Sequence, residues 1–225
     1  MCIRDSPSLN QYEKQFLIDQ LKKMGLGDKR VHYHKIWAVD EGKKFNNRIK
    51  DYVQQDILAL VVNFVDILAH KSSQMDVLKE MVPDESGYRT AVRSWLNHSW
   101  LLQVLKQLSE NNFTVILTSD HGSIRVQRDV MVAADREASS GVRYKYGRNL
   151  NTKEKNAIVI KEPEKFRLPV FGPQPSYIVA KDNVYFIYPN QAHKYQSKFK
   201  NSFQHGGVSM EEMMVPVAIM KGRGS

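Results

Sequence analysis

Apolar residues recur along this chain in two rhythms. In NQYEKQFLIDQLKKMGL, residues 10–26, Phe16, Leu17, Leu21 and Met24 stand at helical spacing and Gly25 and Gly27 follow as a stop, which predicts a helix. RVHYHKIWAV (30–39) is rich in β-branched and aromatic residues and alternates, which predicts a strand; KFNNRIKDYVQQD (44–56) reads as a helix. ILALVVNFV (57–65) is a continuous apolar run, the pattern of a strand buried on both faces of a parallel sheet. TAVRSWLNHSWLLQVLKQLSE (90–110) predicts the clearest helix, with Val92, Trp95, Leu102, Leu105 and Leu108 in one stripe. NFTVILTSD (112–120) predicts a second buried strand, entered through Asn111-Asn112. Near the end, SYIVAKDNVYFIYP (176–189) reads as a hairpin turning at Asp182-Asn183, and MVPVAIM (214–220) as a closing strand. The alternation predicts an α/β fold with a mostly parallel sheet and helices on both faces. No repeat, low-complexity segment or Pro/Gly/Ser linker divides the chain, so the expectation is one domain, incomplete at its N-terminus.

Composition narrows the chemistry. With 225 residues, 42% hydrophobic and 10% aromatic, the chain can bury a globular core. Its longest apolar stretches, around 57–62 and 213–220, fall well short of the roughly 18 residues a membrane span needs. Cys2 is the one cysteine, which excludes a disulfide framework and a thiolate zinc site; a metal would have to be held by His, Asp or Glu. The net charge of +9 suits an anionic ligand such as a phosphate, nucleotide or nucleic acid. The first six residues, MCIRDS, lack the apolar run of a signal peptide. They match the translation of ATG TGT ATA AGA GAC AG, which resembles the transposon-end adapter of sequencing libraries. Residues 1–6 are therefore expected to be an adapter artefact, with Met1 not a start and the natural portion free of cysteine. Arg4 and Asp5 cancel, so the charge is unaffected.

Three places carry chemistry. In NFVDILAH, Asp66 and His70 lie four residues apart just past a predicted strand, where open α/β sheets collect ligands and where a carboxylate and an imidazole one turn apart can face one ion. An Asp there can equally cap a helix. In LTSDHGS, Asp120 and His121 are adjacent at a second strand end; only a bent turn brings both onto one ligand, and Gly122 permits it. The order Asp-His differs from the His-Asp of HD phosphohydrolases. In FQHGGVSMEEMMVPV, two glycines after His205 let the backbone pass close to a ligand. SMEE has the form of a capping box, with Ser209 as cap and Glu212 three residues on, so Glu211 and Glu212 read as helix-start residues and His205 as the residue without a structural reason.

Taken in order, Asp-x-x-x-His, Thr-x-Asp-His-Gly and His-Gly-Gly before the last strand resemble the metal-ligand set of the alkaline phosphatase superfamily. HGGVSMEEMMVPV and RYKYGRNL (143–150) are similar to its PglZ branch, as in PorX-type response regulators, and the likeness covers residues 7–220. The resemblance implies two divalent ions, zinc with manganese as the alternative: Asp66, His70 and His205 on one, Asp120 and His121 on the other. It implies a nucleophilic Thr or Ser with an Asp from an upstream segment; no Ser or Thr between Ser6 and Asp66 stands in a nucleophile turn, so the chain is expected to be inactive by itself. It further implies a cytoplasmic phosphodiesterase or phosphatase output domain of a two-component system, in Bacteroidota with type IX secretion. The expected partners are a phosphoester substrate such as an oligonucleotide or cyclic nucleotide, an upstream receiver domain and a second copy in a homodimer, with no membrane. A phosphoglycerate-mutase-like phosphotransferase and a non-catalytic anion- or partner-binding module remain the alternatives.

His32, His34, His98 and His193 show no partner spacing and read as packing or surface residues. The stretch 125–148 follows directly on Asp120-His121 and is basic. Arg125, Arg143, Lys145, Arg148 and Asn149 are the expected substrate-binding residues, with Arg143 and Lys145 on one side of an extended segment and Tyr144 and Tyr146 on the other. A solvated basic loop is the ordinary alternative.

Overall fold

A computed structural model describes residues 12–72, 75–133, 139, 141–148, 150–153, 155–170 and 174–223. The adapter reading of residues 1–6 and the assignment of Asn149 fall outside them. In chain order the elements are α1 (Glu13–Lys23), β1 (Val31–Ile36), α2 (Val39–Asn47), α3 (Ile49–Tyr52), β2 (Ile57–Val62), α4 (Phe64–Ser72), α5 (Asp76–Met81), α6 (Glu85–His98) and α7 (Trp100–Glu110). There follow β3 (Val115–Thr118), β4 (Ile124–Arg125), β5 (Arg128–Met131), β6 (Tyr144–Arg148), β7 (Ala157–Ile160), β8 (Pro175–Ala180), β9 (Val184–Ile187), α8 (Ala192–Phe199), β10 (Phe203–Gln204), α9 (Met210–Met213) and β11 (Val217–Met220). Among the described residues no helix is long and apolar enough to cross a membrane.

The chain clusters into two compact units, and their division falls inside α4, after Leu68. Of the described residues, the first unit holds 12–68, 86–118 and the tail from 216. Here β1 and β2 pair in parallel from Val31↔Ile57 to Ile36↔Val62, and β3 pairs antiparallel with β11. Arg30 and Asp56 clamp the start of the parallel pair: the Arg30 N–H donates to Asp56 Oδ2 at 2.8 Å and its guanidinium reaches Oδ1 at 3.1 Å. The core gathers Ile36, Phe45, Ile49, Tyr52, Trp100, Leu101, Val104 and Leu108. Gly42 lets α2 and α7 approach, since a Cβ there would lie 2.0 Å from the Trp100 ring. His32 stacks on Tyr52 at 4.3 Å, so it does pack against the core.

The second unit holds residues 69–85 and 119–215. Its ladders are β4–β10 (antiparallel), β5–β9 (parallel), and β8 between β6 and β7, antiparallel to both. Strand β9 is buried throughout and alternates between two clusters: Val184 and Phe186 join Val130, Val132 and Ile178, while Tyr185 and Ile187 join Ile124, Val126 and Val142. Each such fully buried aliphatic or aromatic side chain contributes about 1.5–3 kcal/mol.

The mixture of helices and strands is that of an α/β fold, but among the described residues two of the six ladders, β1–β2 and β5–β9, are parallel and the other four antiparallel, and three segments also depart locally from the sequence expectation. The helix over 90–110 is two helices, because Ser99 turns extended (φ −87°, ψ 165°) and its side chain accepts the Leu101 N–H to cap α7. The turn at Asp182-Asn183 exists, with Asp182 at φ +40°, but the strands it joins part company: β8 pairs with β6 and β7, and β9 with β5. β3 is not a strand buried between parallel neighbours; it pairs antiparallel with β11, and Ile116 and Leu117 are exposed. Apolar content records which strand faces can be buried, whereas the partner is chosen by long-range pairing.

Candidate metal centre

Helix α4 begins directly after β2, and the Ile67 N–H donates to the Asn63 carbonyl at 3.0 Å as the first turn closes. Asp66 and His70 are thereby one turn apart on the same helix face. His205 and His121 are brought together by the β4–β10 ladder. Gln204 opposes Ile124 in an antiparallel pairing, so the chain leaving β10 runs beside the chain entering β4. The His121 and His205 rings accordingly stack, 3.9 Å between centroids and 16° apart in plane.

The His70 and His205 rings meet nearly edge to face, with Nε2 to Nε2 at 2.9 Å across 135 positions of sequence. Asp66 lies four residues before His70 on α4, so its carboxylate stands on the helix face that carries His70, and Asp66, His70 and His205 are each half-buried. Two ligand atoms on one zinc ion, each about 2.0–2.2 Å from it, stand at most about 4.4 Å apart. The paired His70 and His205 nitrogens, 2.9 Å apart, meet that limit. Two imidazoles and a carboxylate are also a donor set that zinc accepts. The residues therefore fit a divalent ion.

Asp120 and His121 stand on the turn after β3. The His121 N–H donates to Asp120 Oδ1 at 3.1 Å, and His121 Nε2 is 3.7 Å from Asp120 Oδ2, so the bend does bring both side chains to one side. His121 Nδ1 lies 3.0 Å from the Gly122 carbonyl; with a proton there, Nε2 is the basic nitrogen. The Asp120 side chain is 75% exposed, whereas His70 and His205 are half-buried. Gly122 is required for a reason other than the bend: a Cβ would lie 1.9 Å from the Glu211 carbonyl oxygen, so the turn presses against α9. Gly206 does supply conformation, at φ +107°.

The basic stretch is arranged differently from the sequence expectation. Arg143 and Lys145 share a strand side, as alternation requires, but that side faces inward, and both have 0% exposure. Arg143 forms an ion pair with Glu212, 2.5 Å from Nη2 to Oε2 and 3.0 Å from Nε to Oε1. Lys145 donates to the Ser139 carbonyl at 3.2 Å and sits over the Tyr188 ring at 4.2 Å. Neither is placed to meet a substrate phosphate, because an internal partner already takes each charge. Arg125 is half-buried and donates to the Asn201 carbonyl at 3.3 Å; Arg148 is exposed at the end of β6. Glu212 is a helix-start residue, as SMEE indicated, and its carboxylate accepts from the Ser209 N–H at 3.1 Å. Its pairing with Arg143 left no signal in the sequence, since 69 positions separate them. Burial would raise the Glu212 pKa, but the bonds and charge of Arg143, with the Gly207 and Ser209 N–H groups, hold it below the ordinary value.

A search among curated proteins returns no match. The profile of the BREX system PglZ alkaline phosphatase-like domain matches residues 5–220, a span that includes all three histidine-bearing segments. The chain belongs to the PglZ family of alkaline phosphatase-like domains.

Proposed function

We propose that this chain is a zinc-dependent phosphodiesterase domain in which Asp66, His70 and His205 hold one ion and Asp120 and His121 contribute to a second. Membership in an alkaline phosphatase-like family points to phosphoester chemistry with divalent metals. The observation that carries the reading is the meeting of His70 and His205, 2.9 Å apart at Nε2, with Asp66 one turn before His70 on α4. When bound, divalent cations supply the Lewis acidity that an in-line displacement at phosphorus requires. The chain's own residues fix donor identity and direction: α4 presents Asp66 and His70 together, and the ring stack orients His121 against His205. The net charge of +9 and the exposed Arg148 favour nucleotide or oligonucleotide phosphodiesters over neutral substrates. In a cell the domain would be the output of a cytoplasmic response regulator, joined to a receiver domain, with zinc preferred to manganese for its two imidazole donors.

The experiment is calorimetric binding of zinc to the purified chain, followed by binding of a non-hydrolysable phosphodiester analogue with and without zinc. The wild type should bind zinc and then the analogue. His205→Ala and His70→Ala should weaken zinc at least about 100-fold, more than loss of an outer-shell partner would. Analogue binding that is indifferent to zinc and to both substitutions would sink the reading.

A further inference from the structure

Glu212 touches both histidine-bearing turns at once. Its backbone carbonyl accepts the Gly122 N–H at 2.9 Å, one residue beyond His121. Its carboxylate accepts the Gly207 N–H at 2.8 Å and the Ser209 N–H at 3.1 Å, on the turn that begins at His205. Arg143 holds the same carboxylate through Nε and Nη2, while its Nη1 donates to the carbonyl of Val184 on the buried strand β9. The Val208 N–H donates to the Ala180 carbonyl at 2.9 Å, and the Ala180 N–H donates to Arg143 O at 2.8 Å, which tie the turn to the same residue a second time. The backbone is sealed over the pair: a Cβ on Gly207 would lie 2.5 Å from Arg143 Nη2 and 2.8 Å from Glu212 Oε2.

A buried ion pair is a poor device for stability alone, because desolvation cancels most of the attraction and an apolar pair of equal volume does as well. What an apolar pair cannot do is accept hydrogen bonds from a loop backbone. We propose that the buried Arg143–Glu212 pair is a positioning device that fixes the His121 and His205 turns to each other as one unit. Its consequence for metal affinity rests on the metal reading of those histidines given above.

The test uses residue-resolved amide exchange on the zinc-free chain, together with zinc affinity by chelator competition. In the wild type, the Gly122, Gly207 and Ser209 amides should exchange with one common opening free energy. Three separate values would overturn the proposal without any variant. Glu212→Gln strands the Arg143 charge and is at risk of misfolding, so the informative variant is Arg143→Met with Glu212→Leu, which removes both charges. Gly207 and Ser209 lose their acceptor directly in that variant. Gly122 is bonded to a backbone carbonyl that the substitution leaves in place, so a merely local role would spare it. Positioning predicts that Gly122 exchange also accelerates, by about tenfold or more, while the chain keeps a cooperative melt and zinc affinity falls about 10–100-fold. Retained protection at Gly122, or zinc affinity unchanged from a zinc-binding wild type, overturns the proposal. A wild type that binds no zinc would sink the metal reading instead, and the exchange at Gly122 would still decide whether the pair positions the two turns.

Discussion

At the scale of single residues, charge in this protein divides by burial. Asp56 is exposed, yet its carboxyl is held down at about 2 by the hydrogen bond from the Arg30 side chain and then by the Arg30 N–H. A carboxyl whose folded pKa lies below its unfolded value of about 3.9 contributes stability above that value, and the contribution disappears as pH falls through the folded pKa. Asp56→Ala should therefore lower the melting temperature at pH 7, and the difference from wild type should close between about pH 4 and pH 2. Being a surface pair, it should also weaken in high salt. A difference that persists at pH 2 would assign the loss to packing at the start of β1–β2. Arg143 is the opposite case: with 0% exposure its partner is structural, and the surface reading of RYKYGRNL fails there.

At the scale of elements, the break at Ser99 shows how periodicity can run through a change of structure. Trp95 and Leu102 are seven positions apart, two helical turns, so the apolar stripe continues in phase across a residue that is itself extended. Ser99 provides the α7 cap through its bond with the Leu101 N–H at 3.3 Å, and Trp100 and Leu101 enter the core directly after it. Ser99→Ala should cost about 0.5–2 kcal/mol, read as a lower midpoint in a denaturant melt with an unchanged slope. Ser99→Asp, which keeps an acceptor at the cap, should restore most of it. An Ala variant as stable as wild type would mean that the helix break is held by Trp100 packing against Gly42 alone.

At the scale of the whole molecule, a net charge of +9 is spent unevenly. Arg143 neutralises Glu212, Lys145 is held inside by the Ser139 carbonyl and the Tyr188 ring, and Arg148 at the end of β6 remains at the surface. Arg148→Ala should weaken oligonucleotide binding and lower its salt slope by about 1, while binding of a small aryl phosphodiester analogue changes little. Equal losses on both ligands would place the arginine at the reacting phosphate instead. Arg143→Ala, by contrast, should cost about 3–5 kcal/mol of stability by stranding the Glu212 charge, and no ligand should rescue the fold.

What the sequence alone determined is the part written in short-range pattern. The spacing of Asp66 and His70, the Asp120-His121 pair before Gly122, the glycines after His205 and the SMEE helix start each lie within a few residues, where helical and strand periodicity dictate direction. The α/β character and most helix and strand positions follow from the same rhythm. The tertiary structure alone decided which distant segments meet. The β4–β10 register stacks His121 on His205, β9 leaves its apparent hairpin partner for β5, and Arg143 finds Glu212 rather than a phosphate. The physical reason is that alternation assigns a side chain to one of two strand faces but does not say which face is buried, and a charge turned inward must find its counter-charge wherever long-range packing delivers one.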